Sequence, residues 1–224
     1  MFLAPVTGAQ SMRASISPAV INIRASFYDE IHSIVRYAVN VHGWHQSGFL
    51  VQTDPMGNDC DDMFRVIRGE FGLPDPVTGL VNKVTQDVTS AIDDIMVEPL
   101  PEFVIIAAQQ RAAVMFVKLA MQRFPMAQTV FFALSPSDPY GLFATLHEFD
   151  VQTNNVRCMI AIPSVHNQSL QLVSEFNTSV TRYFPGQTPD TWAFEGFISA
   201  RFFIAAVQKT WWKCFCCKPS SHRV

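Results

Sequence analysis

The residues able to do chemistry are few and scattered. Six histidines (His32, His42, His45, His147, His166 and His222) and five cysteines (Cys60, Cys158, Cys214, Cys216 and Cys217) hold the chain's strongest metal ligands and nucleophiles. His42 and His45 stand close enough to suggest a metal pair, yet they fall where a helix gives way to the next strand. Solvated chain at that junction is the simpler reading. Asp54, Asp59, Asp61 and Asp62 form an acidic run, but it lacks the twelfth-position Glu and the glycine spacing of a calcium loop. Helix capping by Asp59 or Asp61 is the expected role. The chain contains no G-x-S-x-G, P-loop, G-x-G-x-x-G or H-E-x-x-H segment. The expectation is a protein that is not an enzyme, with no metal and no cofactor.

The cysteines support no disulfide framework, because their number is odd and two are isolated. Cys60 and Cys158 read as small core residues. The terminal CFCCKPSSH matches no common zinc spacing and reads as a frayed end.

The elements that must carry any site show in the composition and then in the spacing. Of 224 residues, 49% are hydrophobic and 16% charged, and 19 are phenylalanine. Such a chain is neither disordered, collagenous nor a coiled coil. A net charge of -3 without a basic block argues against a nucleic-acid partner. The opening MFLAPVTGAQSMR has no charged n-region and meets Pro5 early, so neither a signal peptide nor an anchor is read there. Glu195, Arg201 and Lys209 interrupt the most apolar long stretch, which reads as a buried amphipathic helix.

Helical spacing marks Asp29–Val41 (Ile31, Ile34, Val35, Ala38, Val41), closed by Gly43, and then Asp61–Phe71, Thr85–Val97, Arg111–Gln122, Gly141–Glu148, Gln168–Arg182 and Thr191–Lys209. Short continuous apolar runs mark strands at Gly48–Val51, Phe103–Ala107, Thr129–Leu134 and Cys158–Ile162. Apolar strands alternating with helices predict an α/β fold with a parallel sheet covered on both faces. In such folds the binding crevice lies outside the carboxyl ends of the strands. That rule selects the loops APVTGA, RASFYDE, TDPMGND, AAQQR, SPSDP and PSVHNQS.

Six segments, in order, resemble the type 1 periplasmic-binding and receptor ligand-binding family, which includes leucine/isoleucine/valine-binding proteins. They are FLAPVTGAQSMR, NIRASFYDEIHSIVRYAV, GFLVQTDPMGNDCDDMFRVI, EFVIIAAQQRAAVMFVKLA with TVFFALSPSD, IPSVHNQSLQLVSEF, and WAFEGFISARFFIAAV. The resemblance implies two doubly wound α/β lobes that close on a small, amino-acid-like ligand. It places residues 1–45 in the first lobe, 46–162 in the second, 163–210 back in the first, and 211–224 in a tail. Members of the family are longer, so the resemblance also implies a fragment whose first lobe is incomplete.

Carried over by position, the resemblance makes Thr7 and Gly8 one ligand-binding loop and Ser26 and Phe27 a second, with Phe27 where the family has Tyr. Met56 stands at a position often aromatic, and Gln109 and Ser135 match second-lobe loops facing the ligand. An ammonium-bearing ligand would want a carboxylate, for which Asp54 and Asp138 are nearby; Glu195 is expected to be structural. The implied partners are the small molecule and either a membrane transporter or the membrane-spanning part of a longer receptor. The implied location is periplasmic or extracellular. The TGAQSMR, RASFYDE and FEGFISAR segments look at least as similar to the sensors of receptor-type adenylate cyclases of trypanosomatid protists as to the bacterial carriers. The sequons Asn167-Gln168-Ser169 and Asn177-Thr178-Ser179 are compatible with such a secreted chain. A degenerate domain that keeps the fold without the ligand is the remaining alternative.

Overall fold

The computed structural model describes residues 2–3, 7–13, 20–125 and 128–216. Two compact units emerge: Val6–Ile16 with Arg24–Ala161, and Met1–Pro5 with Ser17–Ile23 and Ile162–Val224. In the smaller unit, β1 (Phe2–Leu3) and β2 (Val20–Ile21) pair in parallel.

The larger unit opens with α1 (Phe27–His42). Ser26 caps it by accepting the Asp29 N–H, while the Asp29 carboxylate accepts from the Ser26 backbone, a complete capping box. Phe27, Ile31, Ile34, Val35 and Ala38 form its buried face, and Gly43 ends it in the left-handed conformation at φ 68°. There follow β3 (Ser47–Gln52), α2 (Pro55–Glu70), β4 (Val77–Val81), α3 (Thr89–Ile95), β5 (Phe103–Ala107), α4 (Gln110–Arg123), β6 (Val130–Ala133), α5 (Pro139–Glu148) and β7 (Val156–Cys158). The five strands form one parallel sheet in the order β4-β3-β5-β6-β7.

Strand period 2 explains why these strands read as continuous apolar runs. Phe49, Val51, Phe103, Ile105 and Phe132 join one core with Phe27, Ile31 and Ile34 of α1 and Phe64 and Ile67 of α2. The alternate residues Leu50, Val104, Ile106, Phe131 and Ala133 join the other, with Ile92 and Ile95 of α3, Phe116 and Val117 of α4, and Leu142 and Leu146 of α5. With helices on both faces, the inner strands β3, β5 and β6 are apolar on both sides. The α/β doubly wound class expected from the sequence is therefore what the structure shows.

Several boundaries differ from the sequence reading. β4 was not expected, because only Gly79 and Val81 of it are buried and an edge strand carries no apolar run. β7 ends at Cys158, where the expected strand began; its register on β6 runs from Phe131↔Val156 to Ala133↔Cys158 and goes no further. Capping falls to Asp54, which accepts the Gly57 N–H at 2.9 Å, rather than to Asp59 or Asp61. Asp59 instead accepts the Gln10 N–H at 2.8 Å, and Asp61 pairs with Arg65. The compact units do not part at His45: α1 packs on the sheet of the larger unit.

In the smaller unit, α6 (Gln171–Tyr183) and α7 (Thr191–Cys216) pack through Val173, Phe176, Val180 and Phe194 onto Ile162 and Val165. The Phe176 ring lies 5.0 Å from Phe194 and 5.5 Å from Phe197. Glu195, one turn into α7, is buried. α7 continues past Lys209 into the stretch expected as tail, while Cys217 and His222 lie outside the described residues.

Candidate ligand-binding site

A parallel sheet offers a crevice where successive strands depart in opposite directions from a shared neighbour. Here that point lies between β3 and β5, since β4 is laid down on one side of β3 and β5 on the other. The residues at its carboxyl edge are tied by hydrogen bonds. Gln52, fully buried at the end of β3, accepts the Gln109 N–H through Oε1 at 3.1 Å and donates through Nε2 to Asp54 at 2.8 Å. Lys83 Nζ lies 3.2 Å from the same Asp54 oxygen. Burial pushes the Asp54 carboxyl up, but the Gly57 N–H, the Gln52 amide and Lys83 outweigh it and hold the group below the usual carboxylate range. Gly57 permits this closeness: a Cβ there would sit 1.8 Å from the Gln52 carbonyl oxygen.

A second polar cluster joins α1 to the end of β6. Arg24 Nη2 donates to Ser135 Oγ at 2.9 Å, and that hydroxyl donates to Glu30 Oε1 at 2.7 Å. The Ser135 N–H donates to Glu30 Oε2 at 2.8 Å. Arg24, Glu30 and Ser135 are all buried. Burial raises the Glu30 pKa, against the lowering pull of the Ser135 N–H, the Ser135 hydroxyl and the Arg24 charge. Sequence reasoning gave none of Arg24, Glu30, Gln52 or Lys83 a role at the site. The one signal available was that Glu30 falls on the apolar face of α1, between Phe27 and Ile34.

The seven residues expected to bind ligand all lie in the larger unit, but in differing conditions. Hydrogen bonds gather five of them near the start of α1. The Phe27 N–H donates to the Gly8 carbonyl at 2.9 Å. Thr7 Oγ1 accepts the Ala9 N–H at 3.1 Å. Ser26 Oγ is taken up by Asp29, and Ser135 by Arg24 and Glu30. The Phe27 ring is 2% exposed and belongs to the core. Gln109 and Met56 stand at the β3–β5 edge instead. Gln109 precedes α4 with its side chain exposed, and Met56 is half-buried in the first turn of α2.

The remaining chemistry-bearing residues have structural company. Cys60 is fully buried in the core. The His42 ring stacks on Trp44 at 4.2 Å and meets Tyr37 edge-on. Among the described residues, no group of three or more His, Cys, Asp or Glu is placed to hold a metal. No helix among them is long and apolar enough to cross a membrane.

A doubly wound parallel sheet with hydrogen-bonding side chains gathered at its switch point defines a small-ligand-binding α/β architecture. Residues 2–213 match the model of the periplasmic binding protein family, and the chain belongs to that family. A search of curated proteins finds no match. Among solved structures, the fold is similar to a possible leucine/isoleucine/valine-binding protein from Rhodopirellula baltica, with 24% identity and a TM-score of 0.80 over 91% of this chain and 55% of that one. It is similar to a branched-chain amino acid ABC transporter protein from Thermus thermophilus solved with bound valine, with 12% identity, a TM-score of 0.73, and 92% and 54% covered. A fatty acid ABC transporter substrate-binding protein from Thermomonospora curvata is also similar, with 12% identity, a TM-score of 0.75, and 90% and 50% covered. The chain thus spans about half the length of the solved proteins it matches.

Proposed function

We propose that this chain is part of a non-enzymatic binding protein that takes a small amino-acid-like ligand at the carboxyl edge of the five-stranded sheet and presents it to a membrane transporter. The observation that supports it most is the switch-point arrangement, in which Gln52 ties the ends of β3 and β5 and leaves the Gln109 side chain exposed beside them. Family membership supports binding rather than catalysis, and proteins named for branched-chain amino acids share the fold. Thr7, Gly8, Met56 and Gln109 are the expected ligand contacts, while Ser26, Phe27 and Ser135 hold the loops in place. A periplasmic or extracellular location goes with this reading.

Isothermal titration of the folded chain against the common amino acids tests it. Saturable binding of at least one is expected, and a folded sample that binds none overturns the reading in favour of a degenerate domain. A second reading, the sensor of a longer membrane receptor, draws on the Asn167 sequon. Asn167 is exposed, and its Oδ1 accepts from the Ser169 hydroxyl at 2.6 Å, whereas Asn177 is half-buried within α6 and donates to the Val165 carbonyl. Glycosylation at Asn167 alone on secretion from a eukaryotic host is the outcome that favours it.

A further inference from the structure

The amino ends of β3, β4 and β5 border a cavity at the edge of the sheet opposite the proposed ligand crevice. Its volume is about 540 Å³, the size of a small-molecule pocket, and every residue lining it belongs to the larger unit. Three segments form it: the start of β3, the turn from α2 into β4, and the link from α3 to β5. Pro74, Val77, Val97, Pro99 and Pro101 supply apolar wall, with Val77 and Val97 exposed. Among the described residues, no lysine, arginine or histidine lines the cavity, whereas the carboxylates of Asp75, Asp94 and Glu98 do.

Those carboxylates are unequally engaged. Asp75 pairs with Arg68, but Asp94 and Glu98 are exposed and make no hydrogen bond or ion pair among the described residues. The neighbouring Asp93 shows the contrast, since Arg123 holds it at 2.6 Å. Asp94 also stands in the last turn of α3, where the helix dipole disfavours a negative charge. A cation beside it would relieve that. The carboxylates do not converge as a metal site would require, which favours an extended organic cation over a bare ion.

Ser47 supplies an independent sign of a ligand. It lines the same cavity, is 3% exposed, and its hydroxyl has no hydrogen-bond partner among the described residues. The other buried serine and threonine hydroxyls described are all bonded. Ser26 donates to Asp29, Thr129 to the Pro101 carbonyl, Ser135 to Glu30, and Ser137 to the Ala108 carbonyl. Buried polar groups are ordinarily paired, so an open hydroxyl on a cavity wall points to a ligand group as its partner.

We propose that this cavity binds a small aliphatic amine, with its stem against the proline and valine walls. The ammonium group donates to the Ser47 hydroxyl, and Asp94 and Glu98 supply the balancing charge. The site does not depend on what binds at the carboxyl edge.

The full chain is titrated calorimetrically with pentylamine, pentan-1-ol and pentanoate near neutral pH, where the amine is protonated. Pentylamine is expected to bind saturably, and the alcohol and the carboxylate at least tenfold more weakly. Ser47→Ala should weaken amine binding about 10- to 100-fold, the range for losing a hydrogen bond to a charged group. Because that hydroxyl has no protein partner, the same variant should melt as the parent does. Asp94→Asn with Glu98→Gln, two exposed changes that leave the core untouched, should weaken it about 3- to 10-fold, as loss of two exposed ion pairs would. No binding of pentylamine by the folded parent, or equal binding of all three compounds, overturns the proposal. So does parent-like amine binding in the Ser47 variant and the double variant, which would put the amine elsewhere on the chain.

Discussion

Ser26, Asp54 and Glu30 show what a polar side chain does near this sheet edge before any ligand arrives. Ser26 Oγ accepts the Asp29 N–H at 3.1 Å and donates to the Asp29 carboxylate at 2.6 Å. Ser26→Ala should therefore cost about 1 kcal/mol and lower the Tm by a few degrees in calorimetry. The acid response follows from the two directions of pKa shift. Asp54 is held below its unfolded value, so the stability it contributes is present above that value and fades as pH falls through the lowered one. Asp54→Asn should flatten the acid limb of a stability profile measured by urea unfolding. Glu30 runs the other way, because burial raises it. Its contribution is fullest below its unfolded value and is lost as pH rises through the raised one. The stability advantage of the parent over Glu30→Gln should shrink as pH climbs past about 4, the unfolded glutamate range.

The family resemblance made Ser26 and Ser135 expected ligand contacts. Their hydroxyls are consumed by partners as near as three residues and as far as 111 residues away. The near partner was legible, since S-x-x-D is a capping pattern. The distant ones, Arg24 and Glu30, depend on the fold that brings α1 against β6, and no local pattern announces that.

At the scale of elements, helices with a strong apolar face and strands with continuous apolar runs were legible, because burial on one side of a helix or both sides of a strand writes itself into spacing. β4 was not, since an edge strand with three exposed residues of five carries neither pattern. The junction of β3 with α2 shows how tightly elements meet. Gly57→Ala would place a methyl group on the Gln52 carbonyl and should cost about 3 kcal/mol or more, read as a lowered urea midpoint. Gly69→Ala, in the same helix with open space around it, should leave stability unchanged or raise it by about 0.5 kcal/mol. A similar loss from both substitutions would show that the close approach at Gly57 is not what matters.

For the whole molecule, apolar surface is unevenly spread. Phe202, Phe203 and Ile204 of α7 are each more than 40% exposed, as are Tyr183 and Phe184 at the end of α6. A contiguous exposed apolar stretch favours self-association. Replacing Phe202 and Phe203 together with serine should raise the soluble yield without shifting the melting of the larger unit. The exposed stretch 166–170, between the last strand of the larger unit and α6, is where limited proteolysis should cut first.

The strand order also governs how the larger unit can assemble as it is synthesised. β3 is the first strand of this sheet to leave the ribosome and ends up paired on both edges. β4 and β5 each meet a partner already made, β6 meets β5, and β7 meets β6. Parallel sheets are slow to form because every pairing spans a crossover. Here each strand after β3 arrives to find its partner already made, β4 and β5 on the two edges of β3 and then β6 and β7 in turn.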